Sequence, residues 1–193
     1  EFRFGSNDRY KSERLPFDWV VGFSYLKLNE TNDRQDDGIY GDPNDPFSPY
    51  SSLVTSNSDY SSTNISMFGN IEYEFTGFTK LSLGLRMEDW SAKYFDSNDE
   101  RFNPSDSMMG GKLSLTHAFD EDKNVFANYA KGYKQGGFNI GLGLLDSTTS
   151  SDLEYDPEFL TNYEIGMDLS ISDKTNLRIV GFYSERTDQQ VLI

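Results

Sequence analysis

The sequence predicts an all-β chain whose antiparallel strands follow one another as a meander, in the manner of a transmembrane β-barrel. Three observations point there. Apolar and polar residues alternate with a period of two, short and long links between strands alternate along the chain, and aromatic residues gather near strand ends. A soluble β-sandwich burying the same rings in a core is the alternative that this pattern leaves open.

The clearest strand is Tyr163-Glu-Ile-Gly-Met-Asp-Leu-Ser-Ile-Ser172. Tyr163, Ile165, Met167, Leu169 and Ile171 fall on one face, and Glu164, Gly166, Asp168, Ser170 and Ser172 on the other. Ile65, Met67, Gly69, Ile71, Tyr73 and Phe75 repeat the pattern against Ser66, Phe68, Asn70, Glu72 and Glu74. Leu81, Leu83, Leu85 and Met87 do so against Ser82, Gly84, Arg86 and Glu88, and Met109, Leu113, Leu115 and Phe119 against Lys112, Ser114 and Thr116. Phe17, Trp19, Val21, Phe23 and Tyr25 alternate less cleanly, and Leu177 to Ser184 is mixed. Eight strands are expected, over 1–5, 17–30, 63–76, 79–94, 108–119, 124–134, 160–172 and 175–190. Most exceed the five or six residues usual in globular sheets and suit the roughly 9–11 residues that a tilted strand needs to cross a bilayer.

The links at 76–79, 120–123 and 172–175 are short, whereas 31–62, 95–107 and 135–159 are long. A membrane barrel requires such asymmetry, with tight turns on the periplasmic side and large loops outside. Trp19, Tyr73 with Phe75, Trp90 with Tyr94 and Phe95, Phe119, and Tyr129 with Tyr133 are expected at the level of the lipid headgroups.

Composition excludes several classes. The 193 residues hold 17 Lys and Arg against 32 Asp and Glu, a formal net charge of −15, with one His and no Cys. No disulfide scaffold or cysteine-based metal site can form, and nucleic-acid binding lacks its basic footprint. No apolar run nears the roughly 18 residues of a transmembrane helix. Aromatic residues at 15% argue against disorder, because disordered acidic chains are poor in them. No signal peptide is visible, and the chain opens at Glu1, as a mature piece or fragment would.

Catalytic chemistry finds little support, and no enzyme and no cofactor are expected. His117 sits on the apolar face of its strand beside Phe119, where an interface role is expected. The stretch from Asn32 to Asp45 holds five Asp. Oxygen-rich loops suit hard cations, yet the spacing is not that of an EF-hand, and a solvated acidic loop is the expected reading. An acidic mouth would draw cationic or metal-bearing ligands. Tyr40, Phe47 and Tyr50 offer rings for a sugar or an aromatic siderophore, or for packing of the loop on itself. Gly136-Gly-Phe-Asn-Ile-Gly-Leu-Gly143 opens no helix, so it is read as the base of a mobile loop and not as a dinucleotide turn. Gly132, Gly136 and Gly137 suit bulges or close backbone approach, and Pro157 belongs ahead of a strand. Inward Glu72, Glu74, Arg86, Glu88, Lys112, Asn128, Glu164, Asp168 and Arg178 would line a lumen, hold a plug, or pair with wall neighbours.

Two stretches carry a family resemblance. Phe126-Ala-Asn-Tyr-Ala-Lys-Gly-Tyr-Lys-Gln-Gly-Gly-Phe-Asn139 resembles the "Y-S-K-G-Y-K-x-G-G-F-N" stretch of TonB-dependent outer-membrane receptors. Tyr155-Asp-Pro-Glu-Phe-Leu-Thr-Asn-Tyr-Glu-Ile-Gly-Met167 resembles the element that follows in that family. Asn176 to Tyr183 with Asp188-Gln-Gln-Val191 looks like the next strand, and Glu1 to Phe4, Trp19 to Gly22 and Met67 to Gly69 fit earlier ones.

The resemblance implies a barrel of about 22 strands around a plug. Residues 1–193 would then be a partial barrel domain, a middle portion without the plug domain. The implied function is active uptake of a scarce nutrient, most often a ferric siderophore, in the bacterial outer membrane. The implied partners are outer-membrane lipid, a small-molecule ligand, and a TonB-type energy-transducing protein reached through a missing N-terminal part. Asp36, Asp37, Tyr40, Tyr50, Gln135, Phe138 and Asn139 are the candidate residues of the ligand mouth. A complete eight-stranded barrel with a structural or adhesion role and a soluble carbohydrate-binding sandwich are the rival readings.

Overall fold

The computed structural model describes residues 1–6, 17–42, 45–97, 99–139 and 153–190, and for 36, 39–42, 45–52 and 54 the backbone alone. The strands are β1 (Phe2–Gly5), β2 (Phe17–Asp42), β3 (Asp45–Thr76), β4 (Thr79–Asp96), β5 (Arg101–Phe102), β6 (Ser105–Ala118), β7 (Lys123–Lys134), β8 (Gly137–Phe138), β9 (Glu154–Tyr155), β10 (Glu158–Ser172) and β11 (Thr175–Thr187). One antiparallel sheet runs β1-β2-β3-β4-β6-β7-β10-β11, with β5 paired to the far end of β4. β8 and β9 form a separate small hairpin. Among the described residues there is no helix, and β1 and β11 are the open edges of the sheet.

The eight expected strands are the eight that run in line through the main sheet, whose ninth member is the short β5. Their order follows the chain, as a meander requires. Three tight turns, at Gly77–Phe78, 119–122 and Asp173–Lys174, lie at one end of the sheet.

The period-two faces survive in the register. Trp19, Ile71, Leu83, Leu113, Tyr129, Tyr163 and Tyr183 stand side by side in one row. Phe23, Met67, Met87 and Met109 form another, and their relative exposures of 42%, 60%, 56% and 54% show an apolar stripe that nothing covers. A sandwich would bury that stripe against a second sheet. Among the described residues no second sheet lies on it, so the soluble alternative is set aside. The stripe faces lipid, and every hydrogen-bonded strand between the two edges keeps its backbone satisfied there.

The upper edge of the stripe gives the tilt. On β2 the last outward apolar residue is Tyr25, whose row reaches β6 at Ser107. On β11 it is Tyr183, whose row reaches β6 at Leu113. The edge therefore slides six residues while crossing six strand intervals. At about 3.3 Å per residue and 4.8 Å per strand, this is a slant of roughly 35°. Membrane barrels tilt their strands by about that much.

Aromatic residues mark both edges. Tyr129, Tyr163 and Tyr183 line the upper one, with ring centroids 5.2 and 6.3 Å apart. Phe75, Phe78 and Phe119 are exposed at the turn side. His117 belongs to this girdle, bonded through Nδ1 to the Thr79 hydroxyl at 2.8 Å and edge-on to Phe119.

Three expectations are corrected. Residues 31–62 are for the most part strand: β2 and β3 pair from Phe17–Tyr73 out to Asp42–Asp45, so the expected connection is a long ribbon rising beyond the membrane. Trp90 and Tyr94 do not face lipid, being 4% and 8% exposed on the inner side. Tyr133 also turns inward. The β6–β7 ladder stops at Gly111–Lys131, and beyond it the Tyr133 hydroxyl reaches Arg86 and Glu88.

Candidate functional site: the inner wall and mouth

The apolar face changes sides along β4. Leu81, Leu83, Leu85 and Met87 point to lipid, whereas beyond Asp89 the buried apolar positions are the inward Trp90, Ala92 and Tyr94, with Phe95 exposed on the outer face. The physical reason is the solvent. Above the bilayer the outer face meets water, and the inner face meets other protein segments.

Those inner residues pack two small cores at the mouth. Trp90, Ala92 and Met108 form one, and Tyr94, Phe102 and Leu153 the other. Tyr60 and Phe138 touch both. The Phe138 ring stacks on Phe102 at 4.8 Å and 10° and lies 5.3 Å from Tyr94 and 6.2 Å from Tyr60. Such pairs add about 0.5–1.5 kcal/mol beyond the area they bury. Tyr94 donates its hydroxyl to Asp96 at 3.3 Å, and burial with that neighbouring carboxylate raises its phenol above the usual range.

The β8–β9 hairpin is seated over this surface. Gly136 and Gly137 are buried, and a Cβ on Gly136 would stand 2.5 Å from the Tyr155 carbonyl oxygen and 2.6 Å from Asp106 Oδ2. On Gly137 it would stand 2.5 Å from the Tyr155 hydroxyl. Close approach explains these two glycines. Gly132 has nothing within 4 Å of such an atom, so close approach does not explain it. The Asn139 amide donates to the Leu153 carbonyl at 2.9 Å. The base of the expected loop is thus pinned through 139, and residues 140–152, where the loop itself was expected, lie outside the described residues. Pro157 directly precedes β10, as expected.

Below the mouth the inner wall is polar and internally bonded. Glu88 accepts from Asn64 Nδ2 at 2.5 Å, from Arg86 Nη2 at 2.6 Å and from the Tyr133 hydroxyl at 3.1 Å. A second chain of bonds crosses four strands: Ser114 to Asn128 (2.5 Å), Asn128 to Glu164 (3.2 Å), Asn162 to Glu164 (2.8 Å), and Ser184 to Asn162 (2.5 Å). Lys80 pairs with Glu72, and Arg178 with Asp168 at 3.5 Å. Of the inward residues named from sequence, Arg86 pairs with Glu88, Asn128 with Glu164 and Arg178 with Asp168, and Glu72 pairs with Lys80. A cavity of about 570 Å3 opens over Gly84 between Arg86, Lys112 and Tyr133, while the Tyr133 ring covers Gly110.

The seven mouth candidates fall in two places. Phe138 is inside the aromatic cluster, with exposed Gln135 and Asn139 on either side. The Gln135 carbonyl accepts from Gln190 Nε2 at 3.0 Å. Asp37 is exposed on the ribbon, opposite Leu53. Asp36, Tyr40 and Tyr50 lie on the ribbon backbone, Tyr40 opposite Tyr50, and their side chains are outside the described residues. Tyr50 is ten residues beyond Tyr60, about 33 Å of strand, so the two groups are not brought together. Among the described residues no three His, Asp or Glu side chains gather to hold a metal ion. Sequence reading missed Tyr60, Phe102, Met108 and Leu153. The change of apolar parity after Asp89 was the available signal for the inner side of this cluster.

A tilted antiparallel sheet with a lipid face, a polar inner face, tight turns at one end and a built mouth at the other is a wall of an outer-membrane β-barrel. The family comparison makes it specific: residues 2–193 match the model described as TonB dependent receptor-like, beta-barrel, and the chain belongs to that family. No curated protein matches its sequence. Among solved structures it is similar to the ferric yersiniabactin uptake receptor FyuA of Yersinia pestis. The TM-score is 0.69 and the identity 20%, over 98% of this chain and 28% of that one. It is also similar to the ferric-catecholate import receptor Fiu of E. coli (TM-score 0.61, 18% identity, 88% of this chain and 28% of that). The copper transporter OprC gives 0.60 and 16%, over 89% of this chain and 27% of that. The chain thus spans less than a third of the length of these proteins. Its place is the bacterial outer membrane.

Proposed function

We propose that the chain is the central wall and part of the extracellular mouth of a receptor that imports a scarce nutrient, with a ferric siderophore as the cargo. The observation that carries this is the asymmetry of the sheet. Its three turns are tight at one end, while at the other the β2–β3 ribbon and the β8–β9 hairpin build a mouth. Transport receptors gather ligand on the looped side. Two of the similar structures carry ferric chelates by name, which supports iron over other cargo.

In this reading residues 1–193 are a partial barrel domain, and a plug and a TonB-type partner belong to the whole receptor. Asp37, Gln135, Phe138 and Asn139 stand at the mouth, Phe138 as a support for the loop root. Asp36, Tyr40 and Tyr50 would meet ligand farther out, along the ribbon.

The test is uptake of 55Fe supplied as a panel of purified ferric siderophores, in cells with and without the receptor. Receptor-dependent uptake of one chelate, abolished when the proton-motive force is collapsed, is the expected result. Normal insertion in the outer membrane without binding or uptake of any iron complex, sugar or cobalamin would overturn the proposal.

A further inference from the structure

We infer that Met67, Met87 and Met109 form a binding site for one soft monovalent metal ion, copper(I) or silver(I), at the outer border of the membrane. The register carries this. The three are direct partners on β3, β4 and β6, so their side chains leave the sheet in one row on its lipid face. Three of the chain's five methionines stand there, each more than half exposed.

Lipid contact alone does not explain the row. Below it the same strands present leucine to the hydrocarbon, Leu85, Leu83 and Leu81 on β4 and Leu113 and Leu115 on β6. Leucine gives lipid the apolar surface it needs and loses less side-chain entropy when it is ordered. On both strands the change to methionine falls at the same level. What a thioether adds is a polarizable sulfur with a free lone pair. Such neutral, soft ligands select copper(I) and its silver analogue, whereas magnesium and calcium go to oxygen and zinc to imidazole or thiolate.

Reach and room allow the three sulfurs to meet. Neighbouring strands lie about 4.8 Å apart, a gap that an unbranched side chain with three rotatable bonds covers. Met67 and Met109 can each lean over Met87 from its two sides. Beside Met67 the next outward position down the strand is Gly69, where an added Cβ would find only the Val20 carbonyl oxygen within 4 Å. A cavity of about 610 Å3 opens there, with Met67, Met87 and Leu85 in its lining.

The charge of the ion is provided for. Directly above the row the outward positions are Ile65, Asp89 and Ser107. The Ser107 hydroxyl donates to Asp89 at 2.6 Å, and both residues are exposed. An ion therefore reaches the sulfurs from water without crossing hydrocarbon, and the Asp89 carboxylate offsets a single positive charge. A divalent ion would keep an uncompensated charge beside lipid, which is costly. The outward Lys131, across from Gly111, extends 4.7 Å over the Phe159 ring, away from the row. The site lies on the opposite face of the wall from the mouth and stands apart from the transport reading.

The experiment uses the intact outer-membrane protein that carries this chain, labelled with methyl-13C methionine, in detergent micelles. Its probes are silver(I) nitrate in chloride-free buffer and zinc(II) nitrate. Met67→Leu, Met87→Leu and Met109→Leu are made singly and together, with Met167→Leu on β10 as the control. Leucine keeps volume and apolarity, so folding is retained, and heat-dependent gel mobility checks it. One equivalent of silver(I) is expected to shift the three methyl signals together, and zinc(II) to shift none of them. Each single variant is expected to bind silver(I) at least fivefold more weakly, the triple variant to lose that equivalent, and Met167→Leu to stay within twofold of the parent. A shift in fewer than three of these signals, an equal response to zinc(II), or a triple variant within twofold of the parent would overturn the inference.

Discussion

Phe102 and Phe138 lie face to face, 4.8 Å between ring centroids and 10° between planes, although 36 positions separate them in the chain. Phe102 is 1% exposed, the most buried large side chain among the described residues. The pair fastens the root of the 139–153 segment to the wall. Phe102→Ala is expected to weaken the mouth by about 3–5 kcal/mol, the usual range for an emptied aromatic site. Hydrogen exchange should show faster opening at Gly137, Phe138, Glu154 and Tyr155, with the membrane strands unchanged.

Gly136 is held by closeness. Gly136→Ala would press a methyl group onto the Tyr155 backbone and Asp106. Overpacking of this kind costs about 1–3 kcal/mol. The expected outcome is loss of the β8–β9 pairing, read by exchange at Phe138, while Gly132→Ala leaves it intact because open space surrounds that position.

Asp106 makes the mouth sensitive to pH. Burial first, and then the Asp156 carboxylate, push its carboxyl above the ordinary range, against one backbone bond from Gly136 that lowers it. The folded mouth therefore holds this proton more firmly than the unfolded chain does. Between the ordinary carboxylate value and the raised one the folded form carries more protons, so stability falls as pH rises through that window. Protection of the hairpin should decline across it. Asp106→Asn should flatten the dependence and protect the hairpin more at neutral pH.

Glu88 is the hub of the inner wall, with Asn64, Arg86 and Tyr133 around it. Tyr133→Phe removes one bond to Glu88 and one to Arg86. A loss of about 1–3 kcal/mol is expected in urea unfolding of the barrel in lipid. A double-mutant cycle with Arg86→Met should return a coupling energy of about 0.5–3 kcal/mol, because the three side chains share one network. Strict additivity would show that they act separately.

The spanning strands were legible because lipid imposes period two on one face and a lumen imposes polarity on the other. The ribbon was not. From Asn29 to Ser62 positions of both parities are occupied mainly by Ser, Thr, Asn and Asp, so no apolar period remains to read. β5, β8 and β9 have two residues each and exist through the contacts of Phe102, Phe138 and Tyr155, which no local pattern announces. Trp90 was assigned to the lipid girdle by its place near a strand end. Its even-numbered position, opposite in parity to Leu85 and Met87, was the better guide. Phe138 was picked out among the mouth residues from the motif that contains it, and its role as a stacking partner came only with Phe102 beside it.

The most direct measurement of the central claim is a scan of single cysteines along β4, from Leu81 to Lys93. The chain has no Cys of its own, so each label reports one position. Spin labels at residues 81, 83, 85 and 87 are expected to be accessible to oxygen and shielded from a water-soluble nickel complex. Position 89 onward should show the reverse for the outward residues 91 and 93, with 90 and 92 shielded from both. Water access at 83, 85 and 87, or an unchanged alternation through residue 93, would contradict the assignment of this sheet as a membrane wall ending at Asp89.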